Sequence, residues 1–194
     1  MRLLTKSQSK NLDKTSVNKY KIPESKLMDS AAKCIFDYIE NHNIALKKKL
    51  RVLILCGKGN NGGDSICLAN ILIEKDYDVH VHFLLENNQI SGLSLKHHAK
   101  YIELSNSISY GIEFKKYDNF DFIVDGIIGI GFRGTLSQDL IDWVSWINKS
   151  DSFVLSVDIP SGLNTDNGLA SPIAVRANVT ITFGYGKIGL YLAD

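Results

Sequence analysis

The sequence predicts an α/β fold: a three-layer α/β/α sandwich on a Rossmann-like, mostly parallel sheet. Three observations point there. Short apolar runs of strand length alternate with amphipathic stretches of helix length, the pattern of βαβ units. The runs at 51–56, 120–124 and 153–157 are almost wholly apolar, as strands buried on both faces are. Finally, each glycine- or aspartate-rich loop follows such a run, and open parallel sheets bind ligands beyond the carboxyl ends of their strands.

The elements follow in order. The first 23 residues are mostly polar and close with Pro23. They are expected to be an N-terminal extension packing on a single domain spanning 1–194. From Glu24 to Asn41, Leu27, Met28, Ala31, Ala32, Ile35, Phe36 and Ile39 recur at three- and four-residue steps, which predicts a helix. Lys47, Lys48 and Lys49 suit its solvated end; without interleaved aromatics they do not suggest a nucleic-acid patch. Arg51–Cys56 is the first strand and Gly63–Lys75 a helix. Asp78–Leu85 is the second strand, with His80 and His82 on one face and no third metal ligand evident. Leu93–Leu104, carrying His97 and His98, is a helix. Phe120–Val124 is the third strand. Leu136–Lys149 is a helix striped by Leu140, Trp143, Val144 and Ile147. Phe153–Val157 and Val179–Phe183 complete the set.

Composition excludes several functional classes. At 44% apolar and 22% charged residues the chain is globular, and its net charge of +1 favours neither nucleic acid nor an anionic membrane. Its 194 residues fit one domain. Cys34, Cys56 and Cys67 lie in apolar segments without a C-x-x-C pair, which reads as core thiols in a reducing compartment. No apolar run approaches the roughly 20 residues that span a bilayer, and the N-terminus lacks a signal-like apolar region, so a cytoplasmic location is expected.

Four loops carry the chemistry. Gly57-Lys58-Gly59-Asn60-Asn61-Gly62-Gly63-Asp64 contains G-x-G-x-x-G between strand and helix. An ordinary dinucleotide turn is disfavoured, because Asp64 in the first helical turn would oppose a pyrophosphate. In Asp125-Gly126-Ile127-Ile128-Gly129-Ile130-Gly131-Phe132-Arg133-Gly134 the glycines permit an anion-binding nest, and Arg133 could add a fork. Asp158 ends the fourth strand, with Ser161 three residues on. Asn61, Asp125, Asp158 and Ser161 together offer hard oxygen ligands, which suit an oxygen-loving cation better than zinc. Lys187 follows the fifth strand. No histidine lies in these loops, so a Ser-His-Asp hydrolase is disfavoured. A polar, glycine-lined cleft with Asp64, Asp125 and Asp158 at a common rim suits acid–base work on a phosphorylated small molecule.

In this order, LMDSAA, LCGKGNNGGD, VDGIIGIGFRG, VDIPSGLNTDNG and TFGYGKIGL resemble the NAD(P)H-hydrate epimerase family, the YjeF N-terminal domain. The resemblance runs from about Asn11 to the end and departs at Ile130, where Thr is common, at Ile188, where Pro is frequent, and in LMDSAA itself. It implies interconversion of the R and S forms of NADHX and NADPHX, nicotinamide cofactors hydrated at C6 of the ring, for metabolite repair. It implies one potassium ion per subunit on Asn61, Asp125 and Ser161. It also implies substrate contacts at Asn60, Asn61, Gly62, Gly63 and Asp64, at Gly129, Ile130, Gly131, Phe132, Arg133, Gly134 and Thr135, and at Asp158. Asp158 is expected as the general acid/base, with Lys187 as a second catalytic candidate. A homodimer is implied. The chain has no room for the fused dehydratase of many members, so a separate NAD(P)HX dehydratase is expected unless the chain is a fragment. The competing reading is a non-catalytic nucleotide- or protein-binding module of the same fold.

Overall fold

The computed structural model describes residues 2–46 and 49–193, so the expected solvated helix end at Lys47 and Lys48 lies outside the described residues. Among the described residues eight strands and six α-helices follow one another: β1 (Leu3–Leu4), α1 (Lys6–Asn18), α2 (Glu24–Leu46), β2 (Arg51–Cys56), α3 (Asn60–Glu74), β3 (Asp78–Phe83), α4 (Gly92–Leu104), β4 (Ile108–Tyr110), β5 (Phe122–Gly126), α5 (Gln138–Ile147), β6 (Phe153–Val157), β7 (Val179–Ile181), β8 (Gly186–Lys187) and α6 (Ile188–Leu192). A six-stranded, wholly parallel sheet runs β4-β3-β2-β5-β6-β7. Its order reverses between β2 and β5, which makes the crevice above that pair the expected ligand position.

Both faces of the sheet are covered, which is why its strands read as continuous apolar runs. Val52, Ile54 and Cys56 of β2 face α2, α3 and α4, while Leu53 and Leu55 face Trp143, Val144 and Ile147 of α5. The predicted stripe of α2 is the buried one: Ala32, Ile35 and Ile39 are wholly inaccessible. Cys56 and Cys67 are core residues as expected, but Cys34 lies exposed on the outer side of α2.

Several boundaries differ from the expectation. α2 runs on to Leu46, and α3 begins at Asn60, three residues before Gly63. Asp64 therefore sits one turn inside the helix and not in its first turn. β5 starts at Phe122 and ends at Gly126, so Asp125 is within the strand. α5 is shorter than 136–149 because the Ser137 hydroxyl caps it, accepting from Leu140 N at 3.5 Å. The expected second and fifth strands end at Phe83 and Ile181.

The N-terminal segment is more ordered than its polar composition suggests. Thr5 caps α1 in a reciprocal box: its hydroxyl accepts from Gln8 N, and its own N donates to Gln8 Oε1 at 2.9 Å. β1 pairs in parallel with β8, Leu3 against Gly186 and Leu4 against Lys187. The Lys6 ammonium donates to the carbonyls of Phe132 at 2.7 Å and Gly131 at 3.1 Å, clamping the second loop, and Lys6 N donates to Asp166 Oδ1 at 2.6 Å.

Candidate active site

The loops after β2, β5, β6 and β7 leave the same edge of the parallel sheet. A cavity of about 560 Å³ lies at the β2/β5 reversal, lined by Gly57–Asn61, Ile127–Phe132, Leu84, Ile112, Leu140 and, from α1, Lys10 and Asp13. Gly57 is required by close approach. A Cβ there would lie 1.8 Å from the Ile127 carbonyl oxygen, backbone against backbone. Gly57→Ala is therefore expected to destabilise the fold by about 1–3 kcal/mol or more. Urea denaturation checks this; an unchanged midpoint would contradict the packing. Gly129 lies as close to the Asn61 side chain, whose Oδ1 would be 2.2 Å from a Cβ.

Behind the cavity is a buried set of oxygens. Asp125 is wholly inaccessible. Its carboxylate accepts from the Ser161 hydroxyl, from Ser161 N at 2.9 Å, from the Ser156 hydroxyl at 2.8 Å and from Ile127 N at 3.4 Å. Burial nevertheless pushes its carboxyl up from the ordinary range, against the pull of these donors. The Ser161 hydroxyl also accepts from Ile128 N at 2.9 Å and lies 3.3 Å from the Ile128 carbonyl. Asn61 Nδ2 donates to the Val157 carbonyl at 2.6 Å. Asp125 and Ser161 thus meet around one desolvated carboxylate, and Asn61, bonded to the Val157 carbonyl with its Oδ1 by Gly129, adds a further oxygen; the three bring no sulfur or imidazole. That donor set fits a hard cation such as potassium.

Beside this set lies a charged cluster. Asp158 is 8% exposed and sits at φ 64°, a left-handed position that a non-glycine residue rarely takes and that aspartate tolerates best. Its Oδ1 accepts from the Lys187 ammonium, from Phe183 N at 3.1 Å and from the Thr182 hydroxyl at 3.2 Å. Among the described residues every donor falls on Oδ1 and none on Oδ2. Lys187, 3% exposed, also donates to Thr182 Oγ1 at 2.8 Å and to the Phe183 carbonyl at 3.0 Å. Burial, and then the nearby Asp158 and Asp13 carboxylates, push the Asp64 carboxyl well above its usual range. Asp13 is raised for the same reasons, burial first and then Asp158.

The residues singled out in the sequence therefore fall into distinct groups. Asn60, Asn61, Gly129, Ile130, Gly131 and Phe132 line the cavity. Arg133, Gly134 and Thr135 are exposed beyond it. Gly62 and Gly63 are buried in α3, Gly62 against the Gly57 backbone and Gly63 against Met28. The Asp158 charge raises Asp64, whereas Asp125 is bonded into the serine-lined set. Lys10 and Asp13 were not anticipated. Their only local signal was the Thr5-to-Gln8 box that starts their helix. His80 and His82 are structural: His80 bonds Ser107 and Ser109 at 2.9 Å, and His82 bonds Ser109 at 2.8 Å and the Gly111 carbonyl at 2.9 Å. No Cys/His metal spacing is visible in the sequence, yet the fold brings Asp29, Cys67 and His97 within 4.8 Å of one another. There the Cys67 thiol lies 3.5 Å from Asp29 Oδ1, and burial pushes it up to about 12.

Known proteins resemble this chain over most of its length. The chain is 35% identical over 192 residues to the NAD(P)H-hydrate epimerase of Oenococcus oeni, covering 96% of this chain and 87% of that one. It is 30% identical over 193 residues to the enzyme of the same name from Leuconostoc citreum, covering 98% and 83%. It is 32% identical over 195 residues to the bifunctional NAD(P)H-hydrate repair enzyme Nnr of Dictyoglomus turgidum, of which it spans only 37%. The crystal structure of yeast ynu0, YNL200c, shares the fold with a TM-score of 0.88 at 18% identity, covering 100% of this chain and 85% of that one. Residues 24–189 match the family model described as the YjeF-related protein N-terminus, and the chain belongs to that family.

Proposed function

We propose that this chain is an NAD(P)H-hydrate epimerase, interconverting the R and S forms of NADHX and NADPHX in cofactor repair. The observation that carries the reading is the buried Asp158–Lys187 pair, electrostatically coupled to Asp64 and to Asp13, the last of which lines the glycine-rich cavity at the same sheet edge. Epimerisation at C6 needs the hydroxyl to leave as water and a water to return on the other face. Asp158 is the proton carrier at that carbon, with Oδ1 fixed by Lys187 and Oδ2 left for the reacting hydroxyl. Lys187 orients it. Asn60, Asn61, Gly129, Ile130, Gly131 and Phe132 hold the substrate in the cavity; Gly62 and Gly63 shape the wall, and Arg133, Gly134 and Thr135 meet the parts that extend outside. Asn61, Asp125 and Ser161 would hold potassium, whose charge would offset the buried carboxylate and tie the β2, β5 and β6 loops together.

The reading takes residues 1–194 as one catalytic unit with 1–23 packed on it. It places the enzyme in the cytoplasm as a homodimer, working with a separate NAD(P)HX dehydratase. The bifunctional name of relatives such as the Dictyoglomus turgidum protein supports that last coupling. Among the described residues no helix is long and apolar enough to cross a membrane.

The test is an assay on mixed NADHX epimers with a stereospecific dehydratase. Adding the chain should let the dehydratase consume both epimers, and exchanging potassium for tetramethylammonium should slow that conversion. No gain over the uncatalysed rate with either cation would sink the epimerase reading in favour of a binding module.

A further inference from the structure

We infer that Asp13, delivered by α1, is a second catalytic acid–base residue, serving the face of the nicotinamide ring that Asp158 does not serve. The inference rests on the epimerase reading and goes beyond it. The chemistry sets the requirement. Protonation of the C6 hydroxyl breaks the C6–O bond, water departs, and the ring nitrogen's lone pair leaves an iminium. A second water then attacks C6 from the opposite side and gives up a proton. The reaction is redox-neutral. One carboxyl loses a proton, another gains one, and the two exchange states with each turnover. One fixed side chain cannot reach both faces of a planar ring, so inversion calls for two proton carriers on different elements.

The fold supplies the second. Asp13 lines the cavity together with Asn60 and Asn61. Lys10, one turn earlier on α1, lines it too, so this helix face looks into the site. The placement of α1 is fixed at both the cavity and the charged cluster: Lys6 is bonded to the Gly131 and Phe132 carbonyls, and Leu4 is in register with Lys187. A helix so anchored holds a carboxylate steadily, whereas a loose N-terminal arm would not. The Asp13 carboxyl is also within electrostatic reach of Asp158 and Lys187, and its raised pKa suits a group that carries a proton into the cycle.

The experiment uses the full chain and Asp13→Asn, a substitution of the same shape at a helix position that lines the cavity. Interconversion of purified NADHX epimers is followed in water enriched in heavy oxygen. Wild type should incorporate label into both epimers. Asp13→Asn should slow interconversion about 10²–10⁴-fold. It should still exchange label into one epimer, the one whose face Asp158 serves. Interconversion within threefold of wild type overturns the assignment, and so does equal loss of exchange in both epimers, which would mark Asp13 as merely supporting the site. An inactive wild type overturns the epimerase reading itself, a result distinct from either. If Asp13→Asn melts early, Asp13→Ser read the same way decides.

Discussion

Asp158→Asn should lower kcat/KM for NADHX epimerisation about 10²–10⁴-fold while the chain stays folded, the range expected for removing one positioned proton carrier. Asparagine is the right probe for two reasons. Its amide oxygen can still accept from Lys187, Thr182 and Phe183, so the local bonds survive. Asparagine also tolerates the φ of 64° at this position, where alanine would be strained. What it cannot do is exchange a proton with a hydroxyl. Steady-state kinetics on each purified epimer, with melting midpoints measured in parallel, provide the check. Turnover within a few-fold of wild type would remove Asp158 from the chemistry.

Lys187→Met should be the most damaging single change to stability. It removes the cation from a carboxylate that is 8% exposed and takes the donor from Thr182 Oγ1 and the Phe183 carbonyl. Breaking a buried pair from one side typically costs about 3–5 kcal/mol, because the surviving charge is left unpaired in a poor solvent. For a chain of this size that is roughly 6–20 °C of melting temperature. The double variant Lys187→Met/Asp158→Asn should recover part of the loss, since a neutral amide replaces the stranded charge. Calorimetry of the three variants is the measurement. A single-variant loss below about 1 kcal/mol would show that the pair is hydrated and weak.

Much of the fold was legible because burial on two faces leaves a plain mark. β2, β5 and β6 read as apolar runs, and the stripe on α2 from Met28 to Ile39 is the buried stripe. The strand-end loops could be located because a parallel sheet sends them all to one edge. What escaped were elements with little apolar burial. Helix α1 buries only Ser9, so periodicity gives no signal; its order comes from a cap, a lysine clamp and a short strand pair with a distant part of the chain. β4, with the sequence ISY at the sheet edge, is too short and too polar to stand out. For the same reason Asp13 could not be foreseen. Its relevance comes from where α1 is pinned, not from any pattern around it. The start of α3 was misjudged because consecutive glycines look like loop, whereas here Gly62 and Gly63 are helical and let the helix pack against Gly57 and Met28. Asp64, Asp125 and Asp158 could be singled out in the sequence, but Asp13 and the partition of the four carboxylates could not. Nothing local says that Asp125 would turn to Ser156 and Ser161 while Asp158 turns to Lys187 and raises Asp64 from a distance.

The pairing of Leu3–Leu4 with Gly186–Lys187 joins stretches from near opposite ends of the polypeptide. Such a contact closes a loop of almost the whole chain and contributes only a two-residue ladder in return. During synthesis this stitch closes only after Lys187 has left the ribosome, when β2, β3, β4, β5 and β6 are already available to pair. A two-residue ladder also takes less to open than the six-stranded sheet, and while it is open Lys187 stays bonded to Asp158, Thr182 and the Phe183 carbonyl. On the proposed function, the delivery of α1 to the cavity is thus a local event laid over a sturdier scaffold.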